Sequence, residues 1–321
     1  MCYSTSMANE INTLQEAILY FSNPDNCLSF LVARRWPNGA VCPTCGSKNV
    51  SFVASRRLWQ CKARHPKCQF SAKVGTIFED SPIGLDKWLT AMWMAANCKN
   101  GISSYEVARD LGVTQKTAWF MLHRIRLALQ NERGGKLGGE VEVDETFIGG
   151  KARNMHRERR ERVITGTGGK DKAVVLGLAE RGGSVRAFVV DNRRKREVQR
   201  RVREHVAAGA VLFSDELKSY QGLAPEYRHA VINHAIEYVN GNVHTNTMEN
   251  FWSLLKRGLR GTYVSVEPFH LFRYLDEQAF RYNYRKDMGD GDRFRLAASQ
   301  IVGKRLTYSE VTGKVGETTP N

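Results

Sequence analysis

The chain has little that would place it in a membrane or outside a cell. Its best uncharged apolar stretch, TAMWMAANC, is far shorter than the roughly 20 residues that a membrane-spanning helix needs. The opening residues, MCYSTSMANEINTLQEAILYF, lack the basic start, apolar run and small-residue cleavage site of a secretory leader. The sequence therefore predicts a soluble protein of the cytoplasm with no membrane role. A disulfide framework is also missing: seven cysteines are an odd number, better read as ligands and core residues in a reducing compartment. GTGGK at 166–170 lacks the remainder of a phosphate-loop motif and reads as a loop, and no internal repeat is visible. Acid is scarce as well. Against 48 Lys and Arg stand 33 Asp and Glu, a formal charge of +15, which makes a polyanion the default partner. With 321 residues and 42% apolar side chains, the chain can build two or three packed domains, which excludes a disordered basic tail.

The cysteines that are present cluster. Cys42 and Cys45 form CPTCG, a C-x2-C turn that aims two thiolates at one ion, and Cys61 follows in WQCKARHPKCQF. Three zinc ligands are then clear. The fourth is either His65, which closes a short turn with Cys61, or Cys68 on a longer loop; the tighter spacing favours His65. Short strand-like pieces around the knuckles (SFVAS, RLWQC, FSAKVG) make residues 36–80 a zinc ribbon, a module too small to fold without its one structural Zn²⁺. Before it, residues 1–35 read as a helical segment, with Asn23 as cap and Pro24 as first residue of a helix through LSFLVARRW.

Residues 81–132 read as helices. SPIGLDKWLTAMWMAAN has apolar residues at helical spacing, with Ser81 and Pro82 as cap and first-turn residue. In SSYEVARDLGVTQKTAWFMLHRIRLALQ, Ser103 and Glu106 make a capping box, Gly112 supplies a turn and Thr114 caps a second helix. This is the length and punctuation of a helix-turn-helix. Its second helix is expected to present Gln115, Lys116, Trp119 and His123 outward, with Ala118, Met121, Leu122 and Ile125 toward the core. Base and phosphate contacts would begin at Gln115 and Lys116 and continue at His123.

NERGGKLGGE marks a break, after which the period changes. GEVEVDETFIGG, KAVVLGLAE, SVRAFVVD and GAVLFSDE read as strands, interrupted by the helix-like REVQRRVREHVAA, which implies an α/β layer with a mixed sheet. Two strand-like runs end in acids, Asp144 and Asp215. Further on, HTNTMENFWSLLKRGLRGTY sets Glu249 and Lys256 seven residues apart, within about 20° on one helix face. Arg260 follows on that face, with Arg257 beside it as a further DNA contact. Three acids followed by a base suggest metal-dependent phosphoryl transfer. Glu142, Glu145 and Glu216 neighbour the chosen acids, and because strand side chains alternate, a one-residue shift would select them instead. His234 and His244 read as structural or DNA-facing, since hard Mg²⁺ prefers oxygen ligands.

These segments, from WPNGAVCPTCGS through KVGTIFEDSPIGLDKW, VEVDETFIGGK and the HTNTMENFW helix to FHLFRYLDEQAFRYNYRK, resemble bacterial insertion-sequence transposases of the ISXO type over nearly the whole chain. The resemblance implies a multidomain α/β protein in which a zinc ribbon and helix-turn-helix precede an RNase H-like, mixed-sheet DDE domain over 133–300, with a C-terminal tail at 301–321 that frays. It carries the first acid to Asp144, the second to Asp215 and the third to Glu249, with Lys256 as the associated base; Asn246 and Asn250 compete for the third position. It further implies two Mg²⁺ or Mn²⁺ ions, DNA as partner in the form of terminal inverted repeats and target, and a homo-oligomer when two ends are synapsed. The rival readings are a regulator in which only the ribbon and helix pair work, and an RNase H-like nuclease that cuts without joining.

Overall fold

The computed structural model describes residues 11–130, 134–150, 156–163, 172–215, 218–223, 225–232 and 244–313. They fall into two units, Met1–Gln130 with Tyr284–Asn321, and Asn131–Asn283. Among the described residues no helix is long and apolar enough to cross a membrane.

In the first unit, helix α1 (Leu14–Phe21) starts at Thr13, whose hydroxyl accepts from Glu16 N while the Glu16 carboxylate accepts from the Thr13 backbone. Helix α2 (Pro24–Arg35) begins as its sequence predicts, with the Asn23 side chain accepting from Asp25 N and Pro24 in the first turn. Three short antiparallel strands follow: β1 (Val50–Val53), β2 (Leu58–Cys61) and β3 (Gln69–Phe70). Trp59, opposite Phe52 and Phe70, carries the small core they share with Trp36. Helix α3 (Leu85–Asn97) starts later than the Ser81–Pro82 signal suggests, with Gly84 as its cap. The Ser81 hydroxyl is engaged elsewhere, accepting from Trp88 Nε1 at 3.0 Å and from Ile83 N at 3.2 Å.

Helices α4 (Ser104–Leu111) and α5 (Gln115–Ala128) form the expected helix-turn-helix. The Ser103–Glu106 capping box opens α4, Gly112 ends it at φ +59°, where a side chain would be strained, and Thr114 caps α5. The chain returns to this unit after residue 283. Helix α10 (Asp290–Ser299) inserts Phe294 among Phe21, Phe30 and Trp93. The expected fraying after residue 300 does not hold for 301–313. Ile301 and Val311 are fully buried, Ile77 N donates to the Ile301 carbonyl, and α11 (Tyr308–Thr312) lays Tyr308 edge-on against Phe120 of α5.

The second unit runs β4 (Glu140–Ile148), α6 (Arg157–Val163), β5 (Ala173–Glu180), β6 (Val185–Val190), α7 (Lys195–His205), β7 (Val211–Asp215), β8 (Arg228–Ile232), α8 (Asn246–Gly261) and α9 (Leu271–Asn283), where numbering follows chain order through the N-terminal α1–α5 and β1–β3. Its sheet has the order β6-β5-β4-β7-β8; β4, β5 and β6 are antiparallel neighbours and β4, β7 and β8 are parallel. This is the mixed five-stranded sheet of an RNase H-like domain. Strand alternation divides the core. Val141 and Val143 pack with Leu176, Leu178, Val198 and Val202 on the α7 side, whereas Val175 and Ala179 meet Met248, Phe251 and Leu255 on the α8 side.

Candidate active site and zinc centre

The acids come together because β4 and β7 are parallel and in register. Val141 faces Leu212 and Glu142 faces Phe213, so continuing two residues brings Asp144 beside Asp215, the last residue of β7. Ligand oxygens of Asp144, Glu145 and Asp215 all lie within 4.8 Å of one another. Asp144 Oδ2 accepts from Trp252 Nε1 at 2.8 Å, which ties the strand to α8. Gly177, directly across from Asp144 on β5, makes the tie possible: a Cβ there would stand 2.0 Å from Met248 Cε and 2.6 Å from the Trp252 ring.

Gathering like charges in a half-buried place raises their pKa values. Burial pushes the Asp144 carboxyl up to about 6; the negative charges of Asp215 and Glu249 add to the rise, while the Trp252 donor opposes it. Burial likewise lifts Glu145 to about 7, against the Tyr220 hydroxyl, with Asp215 and Asp144 adding. Glu145 Oε1 is buried without a hydrogen-bond partner among the described residues. An orphaned carboxylate oxygen beside two further carboxylates is a donor set for hard divalent cations, and the residues fit such ions.

Glu249 is exposed in the first turn of α8 and stands outside the 4.8 Å group, although its charge is felt at Asp144. Lys256 is half-buried; burial lowers its pKa, as do the charges of Arg260 and Lys172, with Asp144 pulling the other way. On α8, periodicity turns Phe251, Leu254 and Leu255 away from Glu249, Lys256 and Arg260; Phe251 and Leu255 are buried and Leu254 is half-buried, while Glu249 and Arg260 are exposed. Asn246 and Asn250 are exposed, like Glu249. Glu216 and His234 lie outside the described residues.

Glu142, to which the sequence reading gave no role, sets where α8 begins. Thr245 provides no side-chain cap, and the fully buried Glu142 carboxylate supplies one instead, accepting from Thr247 N at 2.8 Å and Met248 N at 3.0 Å. The Thr247 hydroxyl and Arg181 Nε also donate to it. Arg181 continues to the His244 carbonyl at 2.7 Å and stacks on Phe213 at 4.0 Å, which makes His244 part of the scaffold.

In the first unit, the ligand atoms of Cys42, Cys45, Cys61 and His65 lie within 4.8 Å of one another. The Cys45 and Cys61 sulfurs are 3.7 Å apart, close to the roughly 3.8 Å edge of a tetrahedron around zinc, and Cys42 Sγ is 3.4 Å from His65 Nε2. His65 Nδ1 meets the Pro66 carbonyl at 2.7 Å, which turns Nε2 toward the thiols. Burial resists ionisation of Cys42, but the Cys45 and Thr44 amides and the neighbouring thiols outweigh it and bring the thiol down to about 6, a donor ready for zinc. Cys68 stands outside this group and contributes its backbone, accepting from Cys61 N.

The helix-turn-helix residues separate into two kinds. Lys116 is exposed, with its ammonium 4.8 Å over the Tyr308 ring, and Gln115 is held by the Ser104 hydroxyl at 2.8 Å. His123, expected to face outward, is fully buried and packs edge-on against Trp119 at 4.4 Å, so it cannot touch DNA from this position. The cause is that α5 is covered by α3, α4 and α11 together, leaving it less open surface than a two-faced helix has.

Acids side by side on neighbouring parallel strands of an RNase H-like sheet, in a chain that also carries a zinc ribbon, define a transposase-type nuclease. Comparison with known proteins agrees. Residues 136–283 match the ISXO2-like transposase domain, and residues 22–70 match the transposase zinc-ribbon domain. An uncharacterized protein in transposable element ISH50 of Halobacterium salinarum is 30% identical over 257 residues, covering 74% of this chain and 84% of the relative. The chain belongs to the ISXO2-like transposase family.

Proposed function

We propose that the protein cuts DNA at the ends of its insertion sequence and joins the freed 3′-hydroxyl to target DNA. The reading rests above all on the convergence of Asp144, Glu145 and Asp215 within 4.8 Å. Asp144 and Asp215 hold a pair of Mg²⁺ or Mn²⁺ ions, with Glu249 reaching over from α8 as the third ligand residue and Glu145 lending its unpartnered oxygen. Bound there, such ions supply an activated attacking oxygen and a stabilised leaving oxygen. The bond from Trp252 fixes one Asp144 oxygen and thereby orients the other. Lys256 takes a non-bridging oxygen of the scissile phosphate, and Arg257 and Arg260 take backbone phosphates beside it.

In cleavage, a water oxygen bonds to phosphorus as the bond to the 3′-oxygen breaks, and that oxygen leaves as a hydroxyl. In joining, the oxygen of that hydroxyl bonds to a target phosphorus as the target's own bond from phosphorus to the 3′-oxygen breaks; the attacking hydroxyl gives up its proton and the departing target 3′-oxygen takes one up as a new hydroxyl. The ribbon and helix pair hold the ends through Gln115 and Lys116, and two protomers bring two ends together on the DNA of the cytoplasm.

The test is incubation of the purified protein with DNA carrying the sequences that flank its own gene, with Mg²⁺ or Mn²⁺. Metal-dependent cuts at flanking inverted repeats, followed by joined products, are expected, and Asp215→Asn should abolish both while preserving end binding. Glu249→Gln should be as inactive as Asp215→Asn, and Glu145→Gln should retain part of the rate; the reverse ranking would move the third ligand onto β4. Cuts without joining would make the protein a nuclease, and binding without cutting would leave it a regulator.

A further inference from the structure

Beside the acid site lies a cavity of about 370 Å³, within the roughly 300–1,000 Å³ range of small-ligand sites. Its lining divides by chemistry. Ile148, Leu259, Val264 and Val266 are apolar, whereas Lys256 and Arg260 bring two cations that form no ion pair with the described residues. The cavity shares two elements with the acids: Ile148 is the last residue of β4, about 13 Å along the strand from Asp144, and Lys256 lies on α8, two turns from Glu249.

Its rim is unusual. Val264 has φ +62° and is 79% exposed, a left-handed conformation that a β-branched residue adopts only under strain. The surroundings enforce it. Ser265 N donates to the Tyr263 carbonyl, the Tyr263 hydroxyl donates to Glu277, and the Tyr263 ring packs edge-on against Tyr274 at 4.7 Å. The neighbouring residue is anchored in the core, which holds the valine out in solvent.

We propose that this cavity takes one nucleotide of the bound DNA strand, unstacked from its neighbours, with its phosphate on Lys256 and Arg260 and its base against the apolar wall, while Val264 fills the space left in the stack. The inference rests on the DNA-cutting function proposed above. The occupant is chosen by charge and shape. A purely apolar partner would leave two unpaired cations under it, and a fully paired duplex has no isolated base to offer a concave site. An exposed rigid apolar side chain is the kind of wedge that opens a base step.

The experiment uses the full-length protein and flanking-sequence duplexes carrying 2-aminopurine at successive positions around the cut, with no Mg²⁺ or Mn²⁺ added. The expected result is a severalfold fluorescence rise at one position, lost in Val264→Gly at protein concentrations where gel shift shows the duplex fully bound. Glycine tolerates the left-handed conformation, so this variant should fold at least as well. Val266→Trp, which fills the cavity, should lose the signal too. With Mg²⁺ added, Val264→Gly should cut paired DNA more slowly, and a mismatch at the responsive position should restore the rate. Unchanged fluorescence at every position on DNA that the protein binds and cuts would overturn the cavity's role and leave the function standing. Failure to bind or cut any flanking DNA would overturn the function and this inference with it.

Discussion

Removing the Glu142 carboxylate should release α8 from the sheet. Glu142 is fully buried and accepts four hydrogen bonds, from Thr247 N, the Thr247 hydroxyl, Met248 N and Arg181 Nε. In Glu142→Ala, two helix-end amides and a mostly buried guanidinium lose their acceptor together. Breaking a buried pair from one side costs about 3–5 kcal/mol. Glu142→Gln keeps the shape and one acceptor oxygen but faces Arg181 with an amide, so the loss should be that of a charge-assisted bond, about 1.5–3 kcal/mol. With a urea slope near 2 kcal/mol per molar, the alanine variant should move the midpoint down by roughly 1.5–2.5 M. The readout is hydrogen exchange on peptides covering Asn246–Gly261 across a urea series, because Trp252 is one of six tryptophans and whole-protein fluorescence would blur the two units. A midpoint within about 0.5 M of the parent for Glu142→Ala would refute the clamp.

Two further outcomes follow from the geometry. In protein without divalent cations, the raised carboxyls of Asp144 and Glu145, at about 6 and about 7, bind protons more tightly folded than unfolded, so stability should fall as pH rises from about 4 to 7; thermal melts should show this slope reduced in Asp144→Asn, which should be the more stable protein at pH 8 and not at pH 4, and an unchanged slope would contradict the burial of these acids. Metal analysis should find one zinc per chain in the parent and in Cys68→Ser, and a marked loss in Cys42→Ser; loss from Cys68→Ser would return that thiol to the ligand set.

What the sequence disclosed is what local chemistry determines. The Ser103–Glu106 box, the Thr114 cap and the CPTCG knuckle each act within a few residues, and each stands where its pattern places it. Asp144 and Asp215 were legible because they end apolar runs. The hidden parts depend on contacts across the chain. Glu142 meets α8 more than 100 residues later in sequence, and no pattern near either end announces the meeting. Strand parity sends Glu145 toward Tyr220, yet its carboxylate still joins Asp144 and Asp215, because β7 ends at Asp215 and its pairing with β4 reaches only Glu142. RHAVI is too short and too polar to declare itself as β8. His123 was misread for a similar reason, since α5 packs against α3, α4 and α11, and such coverage by other elements leaves no mark in the helix's own sequence.

The return of residues 284–313 to the first unit makes the catalytic unit an insertion within the unit that carries the ribbon and helix pair. During synthesis, Phe21, Phe30 and Trp93 must wait for Phe294, about 200 residues after the last of them, or roughly 10–40 s at ribosomal speeds. The nuclease unit, complete at residue 283, emerges before the N-terminal unit has its full core. A chain that terminates early would therefore carry Asp144, Glu145, Asp215 and Glu249 on a scaffold whose other unit is left open, and only translation through α10 closes both.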